Sequence, residues 1–551
     1  MKPPEGGAVL RGHARMAPAG QAEGAAPFDA GPVWMRVLPP AVMLAIALWQ
    51  ITGPSYWRDE AATMAAVQRP LAELVRMMGN VDAVHGTYYM IIWVLTRLGG
   101  TGELVTRLPS ALAMAGAAAA VAALGRRLVS PRAGLASGLM FAILPQVSLY
   151  AQDAREYAMI TALAAAGSYV LVRALTTGGS RRGWLVSYAF CLGVMGLLNV
   201  FSLLLIGAHA VTVALAWRRA GRAGGAGGAG GRGDDRALAV GWLAAAAGAI
   251  AVASPALALG FAQRGTLGWL TTPQLVGTIV GLRRLIGPSL MLLAVCLAVA
   301  AGILLPALAD RSGPARRLGL AGRPGLAGGP GLAVRPGLDG RPVLRASWPP
   351  QLLELCLPWL LLPPAVLIGV SYVSPVYTFR YVLFCVPAAA LLAGAGLAAL
   401  SHSAGPALAW LPAAAAFAVI AALGGPAQVA LRAPNGHGNN IRAANAIIAA
   451  ARRPADAVLY LGTGAKYLPA AYPSGFAELH NIGQAQTPTQ AGNLIGTELP
   501  AQVVQHRLSR VHRVWVVRLG PYPHHPLRGL NFRLVRIRRA SDIWMLLFER
   551  R

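Results

Sequence analysis

Apolar runs of about twenty residues recur along this chain, and they set its fold class. A helix needs roughly 20 predominantly apolar residues to cross a bilayer, and in lipid only helices and closed barrels satisfy their own backbones. The 551-residue chain is 56% hydrophobic and 12% charged, about half the charged share of a soluble domain. Its net charge of +28 does not point to nucleic acid, because the arginines cluster in short loops between apolar runs, where the positive-inside rule puts them. Lys2 and Lys466 are the only lysines; with so much Ala and Gly, the excess of Arg reads as compositional bias. Cys191, Cys296, Cys356 and Cys385 all lie in apolar runs, which argues against a disulfide framework or a zinc site.

The reading is a multi-pass plasma-membrane protein with a cytoplasmic N-terminus. Residues 1–35 have a basic, Gly/Ala/Pro-rich composition that favours disorder. The run from Val37 to Thr52 ends in an aromatic, charged segment and lies too deep for a cleaved signal, so it reads as an anchor. About 11 transmembrane helices follow across 36–424, near 36–52, 109–125, 133–150, 157–173, 184–217 (two), 237–256, 286–306, 351–370, 382–400 and 407–424. This walk puts the basic loops 218–236 and 307–349, read as disordered tethers, on the cytoplasmic side. The segment 53–108 becomes one large outer loop, in which the short apolar stretch Tyr88 to Leu98 lies in the interface instead of crossing.

After about residue 425 the pattern becomes that of a soluble extracytoplasmic α/β domain spanning 425–551. Ile441–Ala451 has helical spacing, while Ala457–Leu461, Val511–Leu519, Phe532–Ile537 and Ile543–Phe548 read as strands. His524 and His525 sit in a Pro-rich loop without metal-ligand spacing and read as solvent-exposed.

Two acidic clusters carry the chemistry. Asp59 and Glu60 follow the first span, and Asp153 and Glu156 follow the third. Adjacent carboxylates at a membrane boundary are costly and unnecessary for anchoring, so they suggest a site. A carboxylate there can act as general base on a hydroxyl. Arg380 and Arg155, on the same side by the topology walk, suit a lipid phosphate. The plainer readings are that Arg155 neutralises a neighbouring carboxylate and that Arg380 snorkels.

The motifs Trp57-Arg58-Asp59-Glu60, Asp82-Ala83-Val84-His85, Arg107-Leu108-Pro109-Ser110, Tyr150 to Ala158 and Phe379-Arg380-Tyr381 resemble the GT-C membrane glycosyltransferases. The nearest likeness is the bacterial branch akin to protein O-mannosyltransferases and aminoarabinose transferases. It covers about residues 35–400. It implies a polyprenyl-phosphate-linked sugar donor, inverting transfer outside the membrane, and an acceptor that is a protein, lipid or glycan; mannose is the expected sugar. It implies Asp59 as catalytic carboxylate supported by Glu60, with Asp153 assisting and Arg380, with Arg155, on the donor phosphate. Asp82, His85, Tyr157 and Tyr381 take supporting roles. Gly86 and Thr87 stand where many relatives carry two prolines. A divalent metal is left open. The alternative is a transporter or flippase of a lipid-linked saccharide, a class marked by midplane ionisable residues and internal repeats; here the acidic motifs sit at helix ends.

Overall fold

Among the described residues, the long apolar runs before about residue 430 fold as helices, as backbone hydrogen bonding in lipid demands. The computed structural model describes residues 31–551 except 178–179, 224–229, 269, 312–349, 402–407, 409, 525 and 528. The segments read as disordered at 1–35 and 307–349 therefore lie almost wholly outside the described residues, as does His525. The first helices are α1 (Trp34–Leu48), α2 (Arg58–Val67), α3 (Leu71–Asn80), α4 (Gly86–Gly99), α5 (Glu103–Leu128), α6 (Pro131–Ile143), α7 (Pro145–Ala151) and α8 (Tyr157–Thr176). They are followed by α9 (Arg182–Leu198), α10 (Leu204–Ala223), α11 (Gly230–Ala262), α12 (Leu275–Arg284), α13 (Ser289–Arg311), α14 (Pro350–Ser371), α15 (Val386–Leu400) and α16 (Leu411–Ala430).

Among the described residues, seven helices are long and apolar enough to cross a membrane, or nine if each of two bent pairs is one span. These, with the shorter α1 and α9, occupy the positions of the expected spans. The basic loop expected at 218–236 is mostly helical instead, since α10 continues to Ala223 and α11 starts at Gly230. One bent pair joins α6 to α7 at 67°. Its cause is local: the ring of Pro145 disfavours helical geometry in the residue before it, and Leu144 is extended at φ −68°, ψ 123°. The break ends the span early and delivers residues 152–156 to the end of the bundle.

The turn Phe379–Cys385 and α15 form the most enclosed span. Small residues make this possible: a Cβ on Gly394 would collide with Ser137 of α6, and one on Gly396 with the backbone of Ala298 in α13. Arg380 thus sits at the mouth of the central helix. By contrast α4 runs for only 14 residues, short of a span, and buries Tyr88, Tyr89 and Ile92.

The C-terminal domain begins with α17 (Ile441–Ala451). Its main sheet has five strands in the order β2 (His480–Asn481), β1 (Ala457–Leu461), β5 (Arg513–Leu519), β7 (Ile543–Arg550) and β6 (Phe532–Ala540). β1 is parallel to both neighbours, and β7 is antiparallel to β5 and β6. A separate hairpin pairs β3 (Gln484–Gln486) with β4 (Thr497–Glu498). Strand alternation divides the sheet: Trp515, Val517, Met545 and Leu547 join the main core, while Val514, Val516, Leu546 and Phe548 pack with Leu508.

Polar contacts dock this domain on the first loop. Glu103 accepts hydrogen bonds from Arg442 Nη2 at 2.6 Å and Tyr472 Oη at 2.5 Å, and Tyr472 in turn accepts from the backbone N–H of Tyr56 at 3.0 Å. Asn439 Oδ1 accepts from the N–H of Arg58 at 2.8 Å, and Asn439 Nδ2 donates to Asp542. Glu103→Gln removes one charge-assisted anchor and is expected to cost about 1–2 kcal/mol, since Arg442 is partly solvated. The melting temperature in detergent should fall, and protease cleavage between α16 and α17 should quicken.

Candidate active site

The first-loop carboxylates occupy the first turn of α2, where helix N–H groups favour negative charge, yet the two are used differently. Glu60 is fully buried. Its Oε1 accepts from Arg107 Nε at 2.8 Å and the N–H of Ala154 at 2.9 Å. Its Oε2 accepts from Arg107 Nη2 at 2.7 Å and the N–H of Trp57 at 3.3 Å. Arg107, equally buried, spends its remaining N–H groups on the carbonyls of Ile51 (2.8 Å), Pro54 (2.9 Å) and Ser55 (3.2 Å). Glu60 was expected among the catalytic groups; the structure engages both of its oxygens in this buried network.

Asp59 faces the other way. Arg380 Nη1 lies 2.8 Å from its Oδ2 and Arg58 Nε 3.1 Å from its Oδ1. Arg155 Nη1 reaches its backbone carbonyl at 3.5 Å. Burial alone would raise the Asp59 carboxyl, but Arg380, Arg155 and Arg58 outweigh it and hold it below the usual range. The guanidinium of Arg380 also lies over the ring of Trp57, 5.9 Å from its centroid.

Asp153 lies alongside with the opposite bias. Trp57 Nε1 donates to its Oδ1 at 2.9 Å, while its Oδ2 is buried without a hydrogen-bond partner. Burial and then the negative charge of Glu60 push the carboxyl well above the usual range, despite the Trp57 bond and Arg155. The surroundings thus bias Asp153 toward its neutral form and the adjacent Asp59 toward its ionised form. Ser110 fixes the second loop by donating to the carbonyl of Asp153 at 2.7 Å.

The supporting residues separate into three groups. His85 is wedged between Glu156, 3.1 Å from its Nδ1, and Arg155, 3.0 Å from its Nε2. Burial would raise Glu156, but His85 and Arg155 hold it at about 2. The guanidinium of Arg155, which also lies 3.4 Å from Glu156, thus braces the two loops. Asp82 takes the left-handed conformation, φ 59°, and accepts from Tyr89 Oη at 3.2 Å. Tyr157 and Tyr381 belong to an aromatic wall, with ring centroids 6.5 Å apart, extended by Tyr150 against Tyr157 and Phe201 against Tyr381. Among the described residues no group of three His, Cys, Asp or Glu side chains is placed to hold a metal.

Three contributors were not singled out from sequence. Arg107 and Ser110 stand in a quoted motif, but its spacing does not reveal that they tie the two acidic loops together. Tyr467 comes from the C-terminal domain, where the turn Thr463–Tyr467 faces α2. Burial and then Asp82 push its phenol up to about 12, with Arg58, Asp59 and Arg155 also within reach. A cavity of about 770 Å³ lies between α9 and α11, with Arg181 and Arg182 at its edge, at the opposite end of α8 from Asp153.

Glu60→Gln breaks a buried ion pair from one side and leaves Arg107 uncompensated, which typically costs about 3–5 kcal/mol. The variant should melt well below wild type or fail to accumulate. A variant with wild-type melting temperature and lost donor turnover would instead give Glu60 a direct chemical role.

Residues 87–223 match the family model "Dolichyl-phosphate-mannose-protein mannosyltransferase". No curated protein matches the chain by sequence. The structure is similar to ArnT from Cupriavidus metallidurans in the apo state, with TM-score 0.53 and 15% identity, covering 93% of this chain and 97% of that one. The same protein bound to undecaprenyl phosphate aligns with TM-score 0.51 and 14% identity, over 94% of this chain and 98% of that one. The chain thus shares the fold of these membrane proteins along its length, and residues 87–223 within it match the mannosyltransferase family model.

Proposed function

We propose that the chain transfers a sugar from a polyprenyl-phosphate donor to an acceptor hydroxyl on the outer face of the membrane, with inversion, and that the sugar is mannose. The observation that carries this reading is the meeting of Arg380 and Asp59, 2.8 Å apart, at the mouth of the most enclosed helix. A guanidinium and an ionised carboxylate at a membrane boundary are the two groups the transfer needs. The neighbouring fold bound to undecaprenyl phosphate and the family match support the donor class and the choice of mannose.

In the proposed step, the acceptor oxygen attacks the anomeric carbon as its bond to the donor phosphate breaks. The hydroxyl proton passes to Asp59, and the bonding pair leaves with the phosphate, whose charge Arg380 stabilises. Asp153, biased toward its neutral form, offers its unpartnered Oδ2 as a hydrogen-bond donor to the sugar-phosphate. Arg155, committed to His85 and Glu156, keeps the second loop in place. The pairing also gives the base a switch. Once the donor phosphate shares Arg380, Asp59 loses part of its neutralising charge and becomes more basic.

Asp59→Asn is expected to insert and fold yet lose roughly 10²–10⁴-fold in transfer rate; near-wild-type turnover would remove the base assignment. Asp59 is held low in the free enzyme and relaxed upward with donor bound, so the acidic limb of the kcat profile should lie at higher pH than that of kcat/KM. Initial-rate pH profiles measure both, and coincident limbs would uncouple Arg380 from the phosphate. Arg380→Lys keeps the charge but loses the fork, so donor KM should rise or kcat fall while acceptor KM holds.

The orientation belongs to the same proposal. In a cysteine-free background, an impermeant thiol reagent applied to intact cells should label Glu478→Cys and leave Arg218→Cys unlabelled. Both positions are exposed, and the reverse pattern would invert the assignment.

A further inference from the structure

The turn Thr463–Tyr467 faces two places at once. Tyr467 lies within reach of the charges on Arg58 and Asp59, and a Cβ on Gly464 would come within 3.4 Å of Arg58 Cδ. Lys466, the intervening neighbour of Tyr467, lines a separate cavity of about 240 Å³ inside the C-terminal domain. That cavity opens beyond Leu461 and Gly462, at the carboxyl end of β1, and beside Gly483, just past β2. Ligands of open α/β sheets bind at the carboxyl ends of parallel strands. The loop that closes this hairpin rests on the first outer loop, with Arg69 Nη2 donating to the Asn493 carbonyl at 2.5 Å and Asn80 Nδ2 to that of Gly492 at 3.1 Å.

The cavity's chemistry is specific. Its polar lining comprises Lys466, Asn481, Gln484, Thr497 and Glu498, over an apolar floor that includes Leu459. Lys466 pairs with Glu498, and Asn481 Nδ2 donates to Gln484 Oε1 at 3.2 Å. Side-by-side donors and acceptors match a ring bearing adjacent hydroxyls, each of which donates to one group and accepts from another. An apolar floor matches the ring's C–H face. The volume is below the roughly 300–1,000 Å³ of sites for drug-sized ligands and suits one sugar ring. Lysine itself is informative: of 48 Lys and Arg residues only Lys2 and Lys466 are lysine, and a compact ammonium leaves room in a small cavity that a planar guanidinium would fill. A peptide ligand fits less well, because the edge strand β2 has two residues, too few to template an added strand.

We infer that this cavity binds a saccharide unit of the acceptor, so that the turn Thr463–Tyr467 links acceptor capture to the hydroxyl presented at Asp59. The inference rests on the transferase reading for its acceptor role, and on the cavity alone for saccharide binding. The test uses the full chain in nanodiscs with mannotetraose and its decyl glycoside as probes, and with polyprenyl-phosphate mannose as donor. Saccharide binding is read by calorimetry; donor binding and slow hydrolysis of the donor by water are read separately. Wild type should bind mannotetraose saturably. Lys466→Met and Gln484→Leu should each weaken that binding about tenfold or more, raise acceptor KM in parallel, and leave donor affinity and hydrolysis unchanged. Equal affinity for both probes marks a soluble glycan as the acceptor, and much tighter binding of the glycoside marks a lipid-linked one. If neither probe binds, if both variants bind like wild type, or if a Ser/Thr-rich peptide competes at the cavity instead, the saccharide assignment is overturned. Donor turnover intact under any of those results would leave the transferase reading standing. Cavity-dependent saccharide binding without donor turnover would overturn the transferase reading and keep the cavity.

Discussion

The buried pair of Arg107 and Glu60 is the contact on which the rest of this site depends. A guanidinium has five N–H groups in a fixed fork, and the two charged bonds to Glu60 with the three to the carbonyls of Ile51, Pro54 and Ser55 account for all five. Burying such a pair is costly unless every hydrogen bond is made. Here the bonds of the pair join four separate segments. The carbonyls belong to the link between α1 and α2, Glu60 belongs to α2, Arg107 to α5, and the Ala154 N–H on Glu60 to the loop between α7 and α8. One pair therefore sets the mutual position of two acidic loops about a hundred residues apart in sequence. A hydrophobic replacement of similar volume could fill the space, but it could not register four backbone segments at once.

With the loops registered, the two remaining carboxylates are driven apart in protonation. Three arginines hold the Asp59 carboxyl below the usual range, while burial and then Glu60 push Asp153 above it against the Trp57 indole and Arg155. Pairs of carboxyl groups pushed in opposite directions by their surroundings mark an acid and a base in the same site. The Glu60 charge that organises the backbone also adds to burial in raising the Asp153 carboxyl. Scaffold and chemistry share a residue, so the two acidic residues adjacent in sequence, Asp59 and Glu60, cannot exchange roles.

Much of this was legible in the sequence because its causes are local. Spans follow from apolar length, and α17, β1 and the starts of β6 and β7 fall at their expected residues because period and turn chemistry are read within a few positions. The charge walk also put Asp59, Asp153 and Arg380 on one side, which their convergence in space requires. The helical extension of α10 and α11 into the basic loop was hidden by glycine content, since propensity is a weak prior beside two long flanking helices. The two-residue β2 and the β3–β4 hairpin carry too little pattern to be found at all. The division of labour between Asp59 and Glu60 could not be read either: it depends on which face of a helical turn meets Arg107, a contact spanning 47 positions.

The C-terminal domain was legible as a fold and not as a participant, and the reason is instructive. Its contacts with the first loop are single polar groups scattered from Asn439 to Asn493, each unremarkable in its own sequence context. Together they place the turn Thr463–Tyr467 against α2 rather than leave the domain as a tethered appendage. Inter-domain surfaces this polar are the kind that shift as well as dock. The Tyr467 phenol interacts electrostatically with Asp59 and a polar cavity lies one residue behind it, so a shift of the domain on α2 changes the electrostatic surroundings of the carboxylate. In the proposed reaction, the position of Asp59 relative to the C-terminal domain is set by the docking contacts of Glu103, Asn439 and Arg69, outside the membrane bundle.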